Sequence, residues 1–234
     1  MPITMRKLGH KGRFANQLFQ YAYLRQEALV NYGGEYQWPQ WVGQLLFKID
    51  DPVPSKEAKE LSYKFPKHST YYNKKLFKLL FRPKKNLHLL IDDAIRSKAR
   101  GKTLVGLHLR RGDYGTFKRK SARWCFVAPT EWYLDLLKNL QINNPLLFIA
   151  SEDSKELVKD FSEYETFSWD RSFYWDFYTL TQCDYMMISN STFGFAASML
   201  NERATQFYRP RLSKKRLIPY DPWNAPLVYK DERY

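Results

Sequence analysis

Cysteine is scarce in this sequence of 234 residues, which contains only Cys125 and Cys183. Two distant cysteines cannot build the disulfide framework of a small secreted domain, so we expect both thiols to be reduced and packed in a core. The four histidines add no zinc-binding spacing to them, no Asp-x-Asp triplet occurs, and no Gly-x-Ser-x-Gly motif is present. We therefore expect no bound metal and no serine hydrolase.

Long apolar runs are also absent. No uninterrupted stretch approaches the roughly 18 residues of a transmembrane helix, and residues 1–16 contain no apolar segment of the kind found in a secretory signal. We therefore expect a cytoplasmic location, for a free protein or for a domain of a longer one. Aromatic residues make up 17% of the chain and hydrophobic residues 44%, which excludes a disordered or low-complexity protein.

Acidic residues are outnumbered, with 24 Asp and Glu against 38 Lys and Arg, for a formal net charge of +14. All the excess positive charge lies in the first half of the sequence. A basic face attracts polyanions such as nucleic acid, an anionic membrane surface or a phosphate-bearing substrate, and charge alone does not choose among them. A nucleic-acid binder that stacks bases on its Tyr and Phe rings stays a distant alternative, although no RNA-binding signature accompanies it.

Strand-like and helical patterns alternate in the second half of the chain. The mostly apolar residues 104–109 and the apolar residues 146–150 predict buried strands, and residues 130–140, 175–183 and 193–200 have helical periodicity, the first capped by a threonine. This alternation predicts an α/β protein with a parallel sheet covered on both faces. Such a sheet binds ligands beyond the carboxyl ends of its strands.

The first hundred residues are less regular. They predict a short strand at 3–8, a helix from Phe14 that ends at Gly33 and Gly34, and helices at 74–81 and 87–99. We place the domain boundary after Gly101, which divides the chain into residues 1–101 and 102–234.

The sequence His-Leu-Arg-Arg-Gly-Asp-Tyr begins at His108, at the end of a predicted strand. In a strand, His108 and Arg110 project to one side and Leu109 to the other. A guanidinium group is always charged and can grip two oxygens, so Arg110 and Arg111 at the carboxyl end of a parallel strand suit a diphosphate. Asp113 would orient an arginine, accept a ligand hydroxyl or act as a base. The alternative is a scaffold pair between Arg110 and Asp113.

A second polar stretch, residues 189–192, lies between a predicted strand and a predicted helix. Its small hydroxyl side chains and the free N–H groups of a helix N-terminus can form an anion site. Ordinary N-capping by Asn190 or Ser191 explains the pattern equally well. A third stretch, residues 9–22, frames a turn with glycines before a helix and is either a weak anion site or a helix start with a charged rim.

Taken together and in this order, the three motifs resemble the α-1,2-fucosyltransferases and, more distantly, the wider group with α-1,6 and protein O-fucosyl enzymes. Residues 12–22, 108–114 and 183–200 carry the match. The resemblance implies a GT-B fold, with two Rossmann-like domains facing a nucleotide-sugar cleft, the first on the acceptor side and the second binding the donor. It implies an inverting, metal-independent transfer of a 6-deoxy-L-hexose, with L-fucose as the leading candidate. The sugar would pass from a nucleoside-diphosphate donor to a glycan hydroxyl, which in this family is a 2-OH.

The same resemblance implies two groups of site residues. The group nearest the chemistry is Arg110, Arg111, Asp113 and Asn16. The group around the donor is His108, Arg13, Gly12, Asn190, Ser191 and Thr192. A general base is not identified among Asp113, His10 and Glu131.

The sequence after the third motif departs from the family pattern, because residues 194–197 read Gly-Phe-Ala-Ala where the family usually has Ser-Trp-Trp-Gly. UDP-L-rhamnose or another nucleoside-diphosphate sugar therefore stays an alternative donor. The expected partners are the donor and a glycan acceptor, with no nucleic acid and no cofactor. The basic face is compatible with peripheral contact with an anionic membrane surface.

Overall fold

The structure is a computed structural model that describes residues 1–10, 12–38, 40–49, 57–116 and 125–230. The chain divides into two compact units, Met1–His88 and Leu89–Tyr234. The division falls within a helix, Lys85–Ala99, whereas the sequence places the functional boundary just after that helix. The functional boundary stays a prediction.

The first unit contains a small parallel sheet and several helices. Its strands pair in the order β2-β1-β3 and comprise β1 (Ile3–Thr4), β2 (Tyr36–Gln37) and β3 (Lys59–Glu60). Its helices are α1 (Phe14–Asn31), α2 (Gly43–Leu46) and α3 (Lys74–Leu80), and α4 (Lys85–Ala99) continues into the second unit. The helices predicted from Phe14, at 74–81 and at 87–99 are thus confirmed.

The second unit is built around a six-stranded sheet with the order β6-β5-β4-β7-β8-β9. The strands are β4 (Thr103–His108), β5 (Pro145–Ala150), β6 (Glu165–Phe167), β7 (Tyr185–Ile188), β8 (Gln206–Arg211) and β9 (Arg216–Pro219). All pair in parallel except β9, which is antiparallel to β8. The helices are α5 (Asp113–Thr116), α6 (Thr130–Leu140), α7 (Ser154–Leu157), α8 (Phe173–Thr181) and α9 (Thr192–Leu200). This is the predicted α/β arrangement.

Strand β4 shows how the two faces of this sheet are covered. Val105, Leu107 and Leu109 belong to a buried cluster that includes Tyr133 and Leu137 of α6. On the opposite face, a Cβ at Gly106 would meet Cys183 Sγ and Leu180 of α8. Side chains of a strand alternate between faces, so His108 lies on the face covered by α8 and α9.

Two local predictions were wrong, and two strands of the large sheet were not predicted. Strands β8 and β9 follow no clear apolar alternation, because β8 reads Gln-Phe-Tyr-Arg-Pro-Arg. Thr130 does not cap α6, since Pro129 occupies the N-cap and the Thr130 hydroxyl accepts a hydrogen bond from Arg111 instead. Cys183 is buried as expected, but Cys125 is only half-buried.

Among the described residues, no helix has the length and apolar character needed to cross a membrane.

Candidate anion-binding site

The carboxyl ends of β4, β5 and β7 meet at one edge of the large sheet, because these strands are parallel neighbours. This edge brings together three segments: residues 108–113 after β4, residues 151–153 after β5 and residues 189–192 after β7. The Ser151 hydroxyl donates to the Leu109 carbonyl at 2.7 Å, which joins the first two segments. Two of the predicted motifs therefore lie together at one sheet edge, and the loop after β5 adds residues that the sequence did not single out.

Ser189 fastens the start of the third segment to β4. Its backbone N–H donates to the His108 carbonyl at 2.8 Å, and its Oγ lies 3.0 Å from His108 Nδ1. The same oxygen accepts from the Arg110 backbone N–H at 3.2 Å. Burial, helped by the charges of Arg110 and Arg111, lowers the pKa of His108 to about 3. The imidazole is therefore neutral at physiological pH.

Arg110 is surrounded by acidic side chains. Its guanidinium forms ion pairs with Asp113 and with Glu152, and it lies 5.1 Å from the centre of the Tyr114 ring. The side chain is only 13% exposed. The scaffold pair with Asp113 that the sequence left open is thus present, and Glu152 from the loop after β5 is a second carboxylate.

Arg111 has different surroundings. Its Nη1 donates to the Arg110 carbonyl at 3.3 Å and its Nη2 to Thr130 Oγ1 at 3.1 Å. Across the parts of the chain that the structure describes, no carboxylate pairs with Arg111. Because neutral oxygens leave its charge uncompensated, Arg111 is the arginine better prepared to receive an incoming anion.

The turn between the arginines and Asp113 requires glycine. Gly112 has a φ of +42°, and a Cβ there would lie 2.5 Å from Glu152 Oε2. A side chain at this position would therefore strain the backbone and push away the carboxylate that pairs with Arg110.

The residues that precede α9 have distinct roles. Ser191 is the N-cap, and its hydroxyl accepts from the Phe193 N–H at 3.3 Å, as the capping alternative predicted. Thr192 is the first helical residue and is half-buried. Asn190 is fully buried, and its amide turns toward the C-terminal segment, where it pairs with the backbone of Tyr229. An anion at this helix would therefore meet backbone N–H groups and hydroxyls rather than the Asn190 amide.

Gly194 is the first residue of the departure from the family pattern after Phe193, and it packs closely against the sheet. A Cβ at this position would lie 2.7 Å from His108 Nδ1 and 2.9 Å from the Ile188 side chain. The first turn of α9 therefore packs directly on the ends of β4 and β7, with no space for a larger residue.

Asp176 is a residue that the sequence analysis missed. Helix α8 leads from the carboxyl end of β6 back to the start of β7, so its N-terminus points toward the sheet edge where the carboxyl ends of β4, β5 and β7 meet. Asp176 precedes Leu180 by four residues and so shares its sheet-facing side, one turn nearer the edge. Burial raises the pKa of Asp176 to about 7. Its only sequence signal is an acidic residue within an aromatic run.

In the first unit, the predicted residues cluster at the start of α1. Gly12 has a φ of +74°, and a Cβ there would overlap the Asn16 side chain, which folds over the turn. Arg13 is exposed and immediately precedes the helix. Gln17 donates to the carbonyls of Gly9 and Gly12, each at 3.1 Å, and so holds the turn closed.

The three candidate bases differ in their surroundings. Asp113 lies in the site but is paired with Arg110. Glu131 is exposed in the first turn of α6, beside the threonine that binds Arg111. His10 is exposed in the first unit.

Comparisons with known proteins place these features in context. A family model described as glycosyl transferase family 11 matches residues 55–210. No curated protein matches the sequence. The structure is similar to that of NodZ α-1,6-fucosyltransferase co-crystallised with GDP, with 12% identity and a TM-score of 0.58, and to that of the same enzyme soaked with GDP-fucose, with 12% identity and a TM-score of 0.56.

A further structure, fucosyltransferase NodZ from Bradyrhizobium, has 11% identity and a TM-score of 0.56. Each of the three comparisons covers 94% of this chain and 96% of the other. At such low identity the likeness concerns the fold, and it confirms the expected GT-B-type α/β architecture.

Proposed function

The chain belongs to glycosyl transferase family 11 and is a glycosyltransferase, and from that premise we propose that it transfers L-fucose from GDP-L-fucose to a glycan hydroxyl. The observation that carries the proposal is the uncompensated Arg111 guanidinium at the sheet edge where the N-terminus of α9 also lies. The family match includes all three segments of this edge. The NodZ structures named with GDP and GDP-fucose, which share the fold, support the same donor.

The proposed reaction is an inverting displacement. The acceptor hydroxyl attacks the anomeric carbon on the side opposite the diphosphate, and it loses its proton to a base. The bond from that carbon to the leaving oxygen breaks, and its electron pair remains on the β-phosphate. We assign the stabilisation of this growing charge to Arg111, with Arg110 and the first N–H groups of α9. Because these groups are positive, the proposal needs no divalent cation.

We assign supporting roles to the neighbouring residues on the basis of their contacts. Asp113 and Glu152 fix the orientation of Arg110 and would share it with the donor. Ser191 and Thr192 provide hydroxyls beside the diphosphate, and neutral His108 holds Ser189 in place. For the turn before α1, namely Gly12, Arg13 and Asn16, we propose contacts to the transferred sugar.

Asp176 favours GDP over UDP as the donor nucleotide. In its ionised form, which a pKa of about 7 makes available near neutral pH, the Asp176 carboxylate has two acceptor oxygens, and the edge of guanine offers two adjacent N–H donors, whereas uracil offers one. The position of Asp176 on the His108 face, near the edge where the nucleotide would lie, suits such a contact. UDP-L-rhamnose remains the alternative donor to be tested.

The test is a donor and acceptor panel with the full chain. Release of nucleoside diphosphate is measured for GDP-L-fucose, UDP-L-rhamnose and other nucleotide sugars, with and without EDTA, and products are identified by mass spectrometry and linkage analysis. We expect EDTA-resistant fucosyl transfer with inverted anomeric configuration, to a 2-OH. Turnover of UDP-L-rhamnose alone would show that UDP-L-rhamnose, not GDP-L-fucose, is the donor. Absence of turnover with every donor would refute the proposed function.

A further inference from the structure

Arg209 is a fully buried arginine in β8. Its Nη2 donates to Asn190 Oδ1 at 3.0 Å and its Nη1 to the Pro226 carbonyl, while Nε finds no hydrogen-bond partner within the described part of the chain. The guanidinium carbon lies 4.0 Å from the centre of the Tyr229 ring and 5.1 Å from that of Phe195. None of the acidic residues that the structure describes pairs with it.

The position of Arg209 relates it to the candidate site. Strand β8 pairs with β7 so that Tyr208 lies beside Met187. Arg209 therefore stands at the level of Ile188, where β7 ends and residues 189–192 begin. Its contact there is Asn190, the residue between the two serines of that segment.

Asn190 is held from two sides. Its Nδ2 donates to the Tyr229 carbonyl and its Oδ1 accepts from the Tyr229 N–H, each at 2.8 Å. Oδ1 also accepts from Arg209. Because the amide is fully engaged behind the segment, its backbone is fixed with Ser191 and Thr192 at the start of α9.

The charge of Arg209 is the unusual feature. Burial lowers the pKa of Arg209, but the ordinary value lies so far above neutrality that the group remains protonated. A buried cation is normally balanced by a carboxylate, because desolvation is costly. Among the residues that the structure describes, its direct partners are neutral oxygens and aromatic rings, so no described carboxylate compensates the field that it exerts on the neighbouring segment.

We propose that Arg209 is a positioning residue for the donor diphosphate, which holds residues 189–192 through Asn190 and places a buried positive charge behind them. The inference rests on the proposed function, because it needs an anionic donor at this edge. Arg209 itself is fully buried and acts through Asn190 rather than by touching the donor.

The test compares four variants of the full chain. Arg209→Gln removes the charge and keeps a hydrogen-bond donor, and Arg209→Lys keeps the charge. Asn190→Asp places a carboxylate against Arg209 and so neutralises the charge without removing it. Arg211→Gln is the matched control, because Arg211 lies in the same strand and stacks on the same Tyr229 ring, but is only half-buried.

Calorimetric dissociation constants for GDP, GMP and guanosine are measured for each variant, together with KM and kcat for the donor. We expect Arg209→Gln and Asn190→Asp to weaken GDP binding about tenfold, which is the scale of one charge acting across a protein interior. GMP binding should weaken less, and guanosine binding should change little. The donor KM rises more than kcat falls. Arg209→Lys recovers part of the affinity, and Arg211→Gln resembles the wild type.

The outcomes separate this inference from the proposed function. If the wild-type protein binds no GDP, the proposed function fails, and the inference fails with it. If the wild type binds GDP, and Arg209→Gln and Asn190→Asp either bind GDP equally well or lose affinity for guanosine as much as for GDP, Arg209 is only structural. Should Arg209→Gln fail to fold, Asn190→Asp and Arg209→Lys decide the question alone.

Discussion

At the residue scale, the two neighbouring arginines are not equivalent. Arg110 is held by two carboxylates, whereas Arg111 donates only to neutral oxygens within the described chain. An anion can therefore bind Arg111 without displacing an ion-pair partner, while at Arg110 it must share the guanidinium. This difference makes Arg111 the more informative residue to change.

We expect Arg111→Ala to lower kcat by about 10²–10³-fold, the usual effect of losing one donor to a developing oxyanion. The fold should remain intact, because the two hydrogen bonds that the side chain makes within the described residues both go to neutral oxygens. Initial rates at saturating GDP-L-fucose measure the effect, with exposed Arg216→Ala on β9 as the control. Near-normal turnover of Arg111→Ala would contradict the role of this arginine in stabilising charge on the β-phosphate.

Asp176 and His108 illustrate opposite effects of burial on titration. The pKa of Asp176 is raised to about 7 and that of His108 lowered to about 3. As the pH falls below about 6.5, the ordinary pKa of histidine, His108 lowers the free energy of unfolding. The reason is that the unfolded chain binds the proton and the folded chain does not. Asp176 acts in the other direction, since the folded chain keeps a proton that the unfolded chain releases above about pH 4.

We predict that Asp176→Asn raises the melting temperature relative to the wild type at pH 8 and changes it little at pH 4. The amide resembles the protonated acid, so it removes the cost of ionising a buried carboxyl, which grows as the pH rises from about 4 to 7. The variant should also weaken GDP binding.

The measurement is the difference in melting temperature between variant and wild type across pH 4–8, in which the common contribution of His108 cancels. Asp135→Asn, on the exposed side of α6, provides the control. A difference that does not vary with pH would show that Asp176 has no raised pKa.

At the element scale, the junction of α9 with β4 and β7 positions the site. Ser189 bonds to the end of β4, Ser191 caps α9, and Gly194 brings the helix against His108 and Ile188. The N-terminus of the helix is therefore held close to the end of the strand that carries the arginines.

Gly194→Ala should destabilise the protein by about 1–3 kcal/mol, the usual cost of adding an atom to a close-packed interior. The added methyl group would lie 2.7 Å from His108 Nδ1, so α9 must move away from the strands. Chemical denaturation measures the loss of stability, and calorimetry measures the accompanying loss of GDP affinity. Unchanged stability and affinity would contradict the close approach of α9.

At the scale of the whole molecule, the net charge of +14 allows two classes of polyanion as ligands. A nucleotide-sugar enzyme binds a small anion at one site, whereas a nucleic-acid binder uses a broad basic surface whose affinity depends steeply on salt. The surface charge is thus compatible with both functions, and ligand-induced stabilisation separates them.

We expect GDP to raise the melting temperature, since a ligand at about 100 times its dissociation constant stabilises the folded state by about 2.7 kcal/mol. Mixed-sequence RNA should shift it only at low salt. Differential scanning fluorimetry in 50 and 300 mM NaCl makes the comparison, with UDP as the matched nucleotide control. A salt-sensitive shift with RNA and none with GDP would favour nucleic-acid binding.

Much of the second unit is predictable from the sequence because its signals are local. The strand at 104–109 and the helix at 130–140 are recognisable from apolar spacing within a few residues. Strands β8 and β9 are not, because their places in the sheet depend on pairing with β7 and with each other rather than on their own composition.

What the sequence by itself determined is the α/β alternation and the order of the three polar motifs, since helical and strand periodicity and turn chemistry act between neighbours in the chain. Only the tertiary structure decided that Glu152 pairs with Arg110, that the Asn190 amide turns toward Tyr229, and that Arg209 stands buried behind it. These contacts join segments that lie far apart in sequence. Burial and charge compensation depend on all the elements packed around a group, and no local pattern encodes them.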